Sequence, residues 1–170
     1  MNKTVFVSLS SERLIYKKCV SSDVEDYLLF GTNAEVMRYV TPRPLTREQA
    51  VRRFEKAMVI NGKNEKLGYW LAYHKTTKVP IAYLKLVKMG QDYHEIGYLI
   101  RPEFWRQNYG TELAFAVVNY ARSLDEVSKL MGIVLIENKA SKRLLEKCGF
   151  DFLKTGVFEG AKAEFYKLNV

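Results

Sequence analysis

Apolar and polar residues are spaced along this chain in two periods, one of two residues and one near 3.6, that alternate from end to end. Within Leu9 to Val20, the run Arg13 to Val20 alternates and predicts a first, edge strand. Ser21-Ser22-Asp23 offers a helix N-cap, and Val24, Tyr27, Leu28 and Phe30 follow at helical spacing as far as Gly31. Asn33 to Val40 predicts a short second helical piece. Thr41-Pro42-Arg43-Pro44 cannot continue it, because proline disfavours helix at the residue before it. Thr46 with Gln49 forms a capping-box spacing and opens a helix carrying Val51, Phe54 and Met58 to the neighbourhood of Ile60.

Beyond the turn Asn61-Gly62-Lys63-Asn64, strands are predicted at Gly68 to His74, Val79 to Lys88 and Tyr93 to Ile100. Helical period returns at Tyr109 to Ser123, with Leu113, Val117 and Tyr120 on one stripe and Ala114 and Ala121 alongside. Lys129 to Ile136, almost wholly apolar from Met131, predicts an interior strand. Asn138 to Lys147 predicts a last helix stopped by Gly149, and Phe150 to Thr155 and Ala163 to Val170 two closing strands around a Gly156 to Gly160 turn. This order predicts an α/β (α+β) chain with a mixed sheet and helices on both faces. Its 170 residues are the length of a single domain, 1–170.

Two places in the pattern carry candidate chemistry. The apolar run Ile96 to Ile100 ends at Arg101-Pro102, and the loop Trp105 to Thr111 opens directly into a helix. The first N–H groups of a helix have no internal partner and the helix dipole adds positive charge there. Such a junction can hold a pyrophosphate by backbone alone, with Gly110 where backbone must come close. An ordinary strand-to-helix connection would look the same. The dinucleotide and nucleoside-triphosphate glycine motifs are absent, which disfavours those two phosphate binders. In the strand itself Glu95, Gly97 and Leu99 face one way and Ile96, Tyr98 and Ile100 the other. A carboxylate within an apolar strand is either a general base or a structural acid with a partner. His94 is a rival base because imidazole titrates near neutrality, but alternation turns it to the face opposite Glu95.

Gly97-Tyr98, Trp105, Tyr109-Gly110-Thr111-Glu112, Asn138, Ser141 and Gly149-Phe150 together resemble the two core motifs of the GNAT superfamily of acyl-CoA-dependent N-acetyltransferases. Ser11-Glu12-Arg13-Leu14-Ile15, Asp23 and Glu35 to Val40 resemble its branch that acetylates ribosomal-protein N-termini. The resemblance covers nearly the whole chain and implies the GNAT fold, a mixed, mostly antiparallel, seven-stranded twisted sheet with helices on both faces. It implies acetyl-CoA as co-substrate, no metal, and direct attack of an amine on the thioester, with Glu95 as base and Ser141 near the sulfur. Leu99, Ile100 and Arg101 would lie beside acetyl-CoA with an N–H for the oxyanion, Gln107, Asn108, Tyr109, Gly110 and Thr111 would hold the pyrophosphate, and Asn138 the pantetheine. Tyr39 and Arg43 would line the acceptor side. Two residues depart from the family pattern: Asn108 replaces the middle glycine of the loop, and Leu145 replaces the tyrosine that serves many members as general acid.

Charge and composition change this picture little. A formal charge of +8 suits anionic partners such as coenzyme A, and argues against polycationic acceptors, although much of the excess lies in scattered pairs such as Lys17-Lys18 and Arg52-Arg53. Aromatic residues do not cluster with Lys and Arg, so direct nucleic-acid binding is not expected. Cys19 and Cys148 have no metal spacing and read as buried thiols of a reducing compartment. No apolar run reaches membrane length and MNKTVFVSLSSERL lacks a secretory core, so a cytoplasmic location is expected. Acetylation of a small amine (an antibiotic, amino acid or metabolite), an idle acyl-CoA-binding module, the acyl group used and homodimer formation stay open.

Overall fold

The computed structural model describes residues 8–41 and 43–170; Met1 to Val7, read above for a leader, and Pro42, within the predicted helix break, lie outside them. The strands are β1 (Leu14–Lys18), β2 (Gly68–His74), β3 (Pro80–Met89), β4 (Tyr93–Ile100), β5 (Lys129–Leu135), β6 (Asp151–Phe158) and β7 (Ala161–Asn169). They form one sheet in the order β1-β2-β3-β4-β5-β7-β6. Every pairing is antiparallel except β4 with β5. This is the mixed, mostly antiparallel, seven-stranded sheet that the resemblance implied.

Helices α1 (Val24–Gly31), α2 (Ala34–Met37) and α3 (Arg47–Asn61) cover one face of the sheet, and α4 (Tyr109–Arg122) and α5 (Lys139–Lys147) the other. The apolar face of each layer closes a separate core. Tyr27, Phe30 and Phe54 pack on Leu71 and Tyr83 beneath the first layer. Leu113, Val117, Ala121 and Leu145 pack on Leu84, Ile96 and Leu130 beneath the second. Caps set the helix starts as their spacing predicts: the Asn33 side chain accepts from the Glu35 and Val36 N–H groups, and Thr46 and Gln49 bond reciprocally at the head of α3.

Local chemistry moves several boundaries. Ser21 to Asp23 is a 3-10 turn, because the buried Asp23 carboxylate faces backwards, accepting from the Val20 N–H at 2.9 Å and from Lys17 at 2.5 Å. The α-helix therefore starts at Val24. The predicted Gly156 to Gly160 turn shrinks to Glu159-Gly160, both left-handed at φ 49° and 83°, the geometry of a tight two-residue hairpin. Gly156 lies inside β6 instead, where a Cβ would come within 3.0 Å of the Phe165 ring. Both thiols are buried, and loss of solvation pushes Cys19 up to about 12 and raises Cys148 as well.

The decisive feature lies at the sheet's centre. Pairing of β4 with β5 runs His94 to Leu130, Glu95 to Met131 and Ile96 to Gly132, and ends there. On its other edge β4 stays paired to β3 as far as Ile100, while β5 stays paired to β7 as far as Leu135. Residues 97–100 thus have an open edge in the middle of the sheet. Gly132, the last β5 residue of that pairing, lies directly under Leu145 of α5: a Cβ at Gly132 would sit 2.6 Å from Leu145 Cδ1. Leu145 is 2% exposed, held within the core under α4 and α5. Gly132→Ala is therefore expected to cost about 1–3 kcal/mol in urea denaturation, and Leu145→Val in the same chain to recover part of that loss.

Candidate active site

The open edge of β4 has a fixed set of exposed groups. The Arg101 N–H donates to the Ile81 carbonyl at 3.1 Å, and Leu99 pairs with Tyr83. By the alternation of an antiparallel ladder, the N–H and C=O of Tyr98 and Ile100 then point to the open side. Trp105 Nε1 donates to the Ile100 carbonyl at 2.8 Å, which leaves the Ile100 N–H and both Tyr98 groups without a strand partner. This corrects two expectations. The N–H groups of Leu99 and Arg101 are turned towards β3, away from the gap. The Arg101 guanidinium donates to the Pro80 carbonyl at 3.0 Å, pairs with Glu103 and lies over the Phe104 ring.

The loop into α4 makes the second half of the site. Arg106 and Asn108 both have left-handed backbone, φ 59° and 63°. Asn108 therefore does what a glycine does at that position, since asparagine tolerates this conformation better than most residues. Tyr109 begins α4, and the N–H groups of Tyr109, Gly110 and Thr111 have no carbonyl within the helix to bond. A Cβ on Gly110 would meet Leu144 at 3.2 Å and Ile100 at 3.3 Å, so glycine lets the helix start press against the end of β4. The Tyr109 ring itself is buried edge-on to Phe104 and beneath Arg13, leaving only its backbone to the loop surface. Gln107 donates from its side chain to the Glu103 carbonyl at 2.8 Å, and its own carbonyl accepts from Arg13 Nη2 at 3.1 Å.

The sequence reading gave Glu112 no role, yet Glu112 ties this loop to β1. Its carboxylate accepts from the Ser11 hydroxyl at 2.7 Å, the Arg13 N–H at 2.6 Å and Arg13 Nε at 2.7 Å. Burial alone would raise its pKa, but these bonds and the Arg13 charge outweigh burial and hold it below the usual carboxylate range. The match of Ser11 to Ile15 and of Glu112 to the same family pattern was the only signal of this contact available beforehand.

Two clusters flank the gap on opposite faces of the sheet. On the α1–α3 face, Glu95 forms an ion pair with Lys85 at 2.6 Å, and both side chains are largely buried. On the α5 face, the Tyr98 and Ser141 hydroxyls share a hydrogen bond of 3.0 Å, and loss of solvation pushes the Tyr98 phenol up to about 12. Asn138 caps α5 by accepting from the Ser141 N–H at 3.1 Å. Leu145, one turn beyond Ser141, points into the core. His94 faces away from Glu95, as its alternation predicts; it is buried, its Nδ1 has no hydrogen-bond partner among the described residues, and burial lowers its pKa. Tyr39 lies under Arg38 just after α2, which packs on β4, and Arg43 lines a hollow of about 500 Å³ with Pro44, Leu45 and Gln49. Tyr39 is not among the residues lining that hollow.

The model of the acetyltransferase (GNAT) domain family matches residues 13–151. The chain belongs to the GNAT acetyltransferase family. The uncharacterized N-acetyltransferase YoaA of Bacillus subtilis (strain 168) is 32% identical over 157 residues, 90% of this chain and 86% of its own. A GNAT-family acetyltransferase from Bacillus anthracis superposes with a TM-score of 0.80 at 19% identity, over 94% of this chain and 96% of that one. RimL, a ribosomal alpha-N-protein acetyltransferase in complex with coenzyme A, superposes with a TM-score of 0.77 at 14% identity, over the same shares of the two chains, 94% and 96%.

As a GNAT enzyme the protein is an acetyl-CoA-dependent N-acetyltransferase, taking acetyl-CoA and an amine acceptor. Acetyl-CoA supplies an acetyl group activated as a thioester. The open edge of β4, the left-handed turns at Arg106 and Asn108 and the unpartnered N–H groups of α4 fit such a molecule, which has amides along its arm and phosphates at its end. Among the described residues no helix is long and apolar enough to cross a membrane.

Since Glu112 holds both β1 and the loop, Glu112→Gln is expected to lose about 1.5–3 kcal/mol of stability at neutral pH, read by urea denaturation. A carboxyl whose folded pKa is depressed contributes fully above its unfolded value and loses that contribution as pH falls through the folded one. The stability gap between wild type and Glu112→Gln should accordingly narrow below about pH 4.3.

Proposed function

We propose that the acceptor is the α-amine of a protein chain, with ribosomal proteins the first candidates, and that residues 1–170 act as one acetyltransferase domain in the cytoplasm. The observation that carries the reading is the pair of clusters on either side of one gap. Glu95 lies on the face covered by α1–α3, and Tyr98 with Ser141 on the face covered by α5. An amine and a thioester that meet in the gap would find a base on one side and a hydroxyl pair on the other. The choice of a protein N-terminus is supported by the sequence match in Ser11 to Ile15 and Glu35 to Val40, and by the likeness of fold to RimL.

On this reading Gln107 to Thr111 hold the pyrophosphate by their N–H groups, and the open backbone of Tyr98 and Ile100, beside Asn138, receives the pantetheine arm. Tyr39 and Arg43 line the acceptor entrance. The incoming ammonium displaces Lys85 from Glu95 and gives Glu95 its first proton. The freed nitrogen lone pair forms the new C–N bond to the carbonyl carbon while the C–S bond breaks. An N–H at the open edge of β4, that of Tyr98 or Ile100, faces the negative charge that develops on the carbonyl oxygen. The nitrogen's second proton goes to the departing thiolate by way of the Ser141 and Tyr98 hydroxyls. A thiol pKa near ~8.5 makes the thiolate a tolerable leaving group, so Leu145 in place of a tyrosine does not forbid turnover.

The reading is tested first by melting the protein with acetyl-CoA, using ATP and NAD as controls, and then by acetylating a panel of peptides and small amines. A ligand confined to the folded state stabilises by about 2.7 kcal/mol at a hundredfold excess over its Kd. Only acetyl-CoA should give that rise, and peptides should be acetylated faster than small amines. Glu95→Gln is expected to lower kcat by about 100- to 10,000-fold with KM for acetyl-CoA unchanged. Unchanged kcat would remove Glu95 from the chemistry, and binding of acetyl-CoA with no acceptor acetylated would mark an idle module.

A further inference from the structure

We infer that the acceptor carries a carboxylate next to its reactive amine, and that Lys85 reads it. The inference rests on Glu95 as the base. Along the α1–α3 face, Tyr69, Lys85 and Gly97 stand side by side on β2, β3 and β4, and Tyr83 and Leu99 form the next row. The Lys85 stem lies across Gly97 so closely that a Cβ there would meet its Cε at 2.7 Å. Its ammonium ends on Glu95, beside the point where β4 leaves β5. The floor on which an amine would land therefore holds one cation already paired to the one base.

This arrangement sets a condition on the acceptor. Lys85 and Glu95 are 26% and 15% exposed, so neither charge can fall back fully on water. An ammonium that takes Lys85's place on Glu95 leaves the Lys85 charge without a partner in a partly desolvated site. A second cation on the acceptor would worsen this. A carboxylate on the acceptor removes the conflict by trading partners: amine to Glu95, carboxylate to Lys85. Because the two groups start 2.6 Å apart, that carboxylate must lie within about one residue of the amine, since successive Cα atoms are about 3.8 Å apart. An acidic side chain at the second position of a peptide and the carboxylate of a free α-amino acid both meet the condition.

The test measures kcat/KM for peptides of one length with amidated C-termini, starting Ala-Asp, Ala-Ala or Ala-Lys, together with free alanine and alaninamide. Wild type, Lys85→Gln, Lys85→Arg and Lys85→Glu are compared. Wild type should favour Ala-Asp over Ala-Lys, or alanine over alaninamide, by at least tenfold, and which pair shows it identifies the source of the carboxylate. Lys85→Arg should keep the preference and the wild-type melting temperature, Lys85→Gln should flatten the preference and Lys85→Glu should invert it, with KM for acetyl-CoA close to wild type in all three. Equal rates across both pairs in wild type, or a preference that survives in Lys85→Glu, would overturn the inference while leaving the N-acetyltransferase reading intact. Failure of wild type to acetylate any of the five, together with loss of none of its activity on another amine in Glu95→Gln, would overturn the assignment of the base and this inference with it.

Discussion

The active centre depends on β4 losing its neighbour halfway along its length. An N–H or C=O group left without a partner inside a sheet costs free energy comparable to a lost hydrogen bond, so a gap of this kind closes unless something holds it open. Here two ladders and one helix do so. β3 grips β4 to its end, β7 grips β5 to its end, and Leu145 of α5 packs on the face of β5 at Gly132, where the pairing with β4 stops. The Tyr98 N–H and C=O and the Ile100 N–H are thereby left for a partner from outside the sheet, and a molecule with amides along its arm can complete the ladder as an added strand would.

A carboxylate in the first turn of a helix whose leading N–H groups are free to take an anion presents an apparent conflict. It favours the helix through the dipole, yet its charge would compete with any phosphate for the same N–H groups. Glu112 resolves this by its direction. It faces β1, where Ser11 and Arg13 saturate it, and Arg13 continues to the Gln107 carbonyl. The same acid that stabilises the helix start thus fixes the loop in front of it, and its charge is neutralised before a phosphate arrives.

The chain's local features were legible and its long-range partnerships were not. Bounds of β2 and β4 and the Thr46 capping box follow from period and residue type over a few neighbours. Alternation also put Glu95 and His94 on opposite faces. The 3-10 turn at Ser21 escaped because an Asp at that spacing reads as a forward cap, and only the position of Lys17 turns it back. Tyr98 with Ser141 and Arg13 with Glu112 join elements far apart in the chain, and Lys85 with Glu95 depends on the register of the β3–β4 hairpin, so no spacing announces them. The direction of the Arg101 N–H was hidden for a related reason: which edge of a strand an N–H faces depends on register with β3, which the sequence of β4 does not contain.

The core under α1–α3, the core under α4–α5 and a smaller cluster of Met131, Ala163 and Phe165 share no buried residue. Substitutions in groups that do not touch add nearly independently in their effect on stability. The tyrosine- and phenylalanine-rich layer of Tyr27, Phe30, Phe54 and Tyr83 can thus drift through many sequences while the layer around Leu113, Val117 and Leu145 stays as it is. Repacking one layer therefore leaves the packing of the other in place, while each face keeps its own half of the centre: Glu95 with Lys85 on the first, Tyr98 with Ser141 on the second.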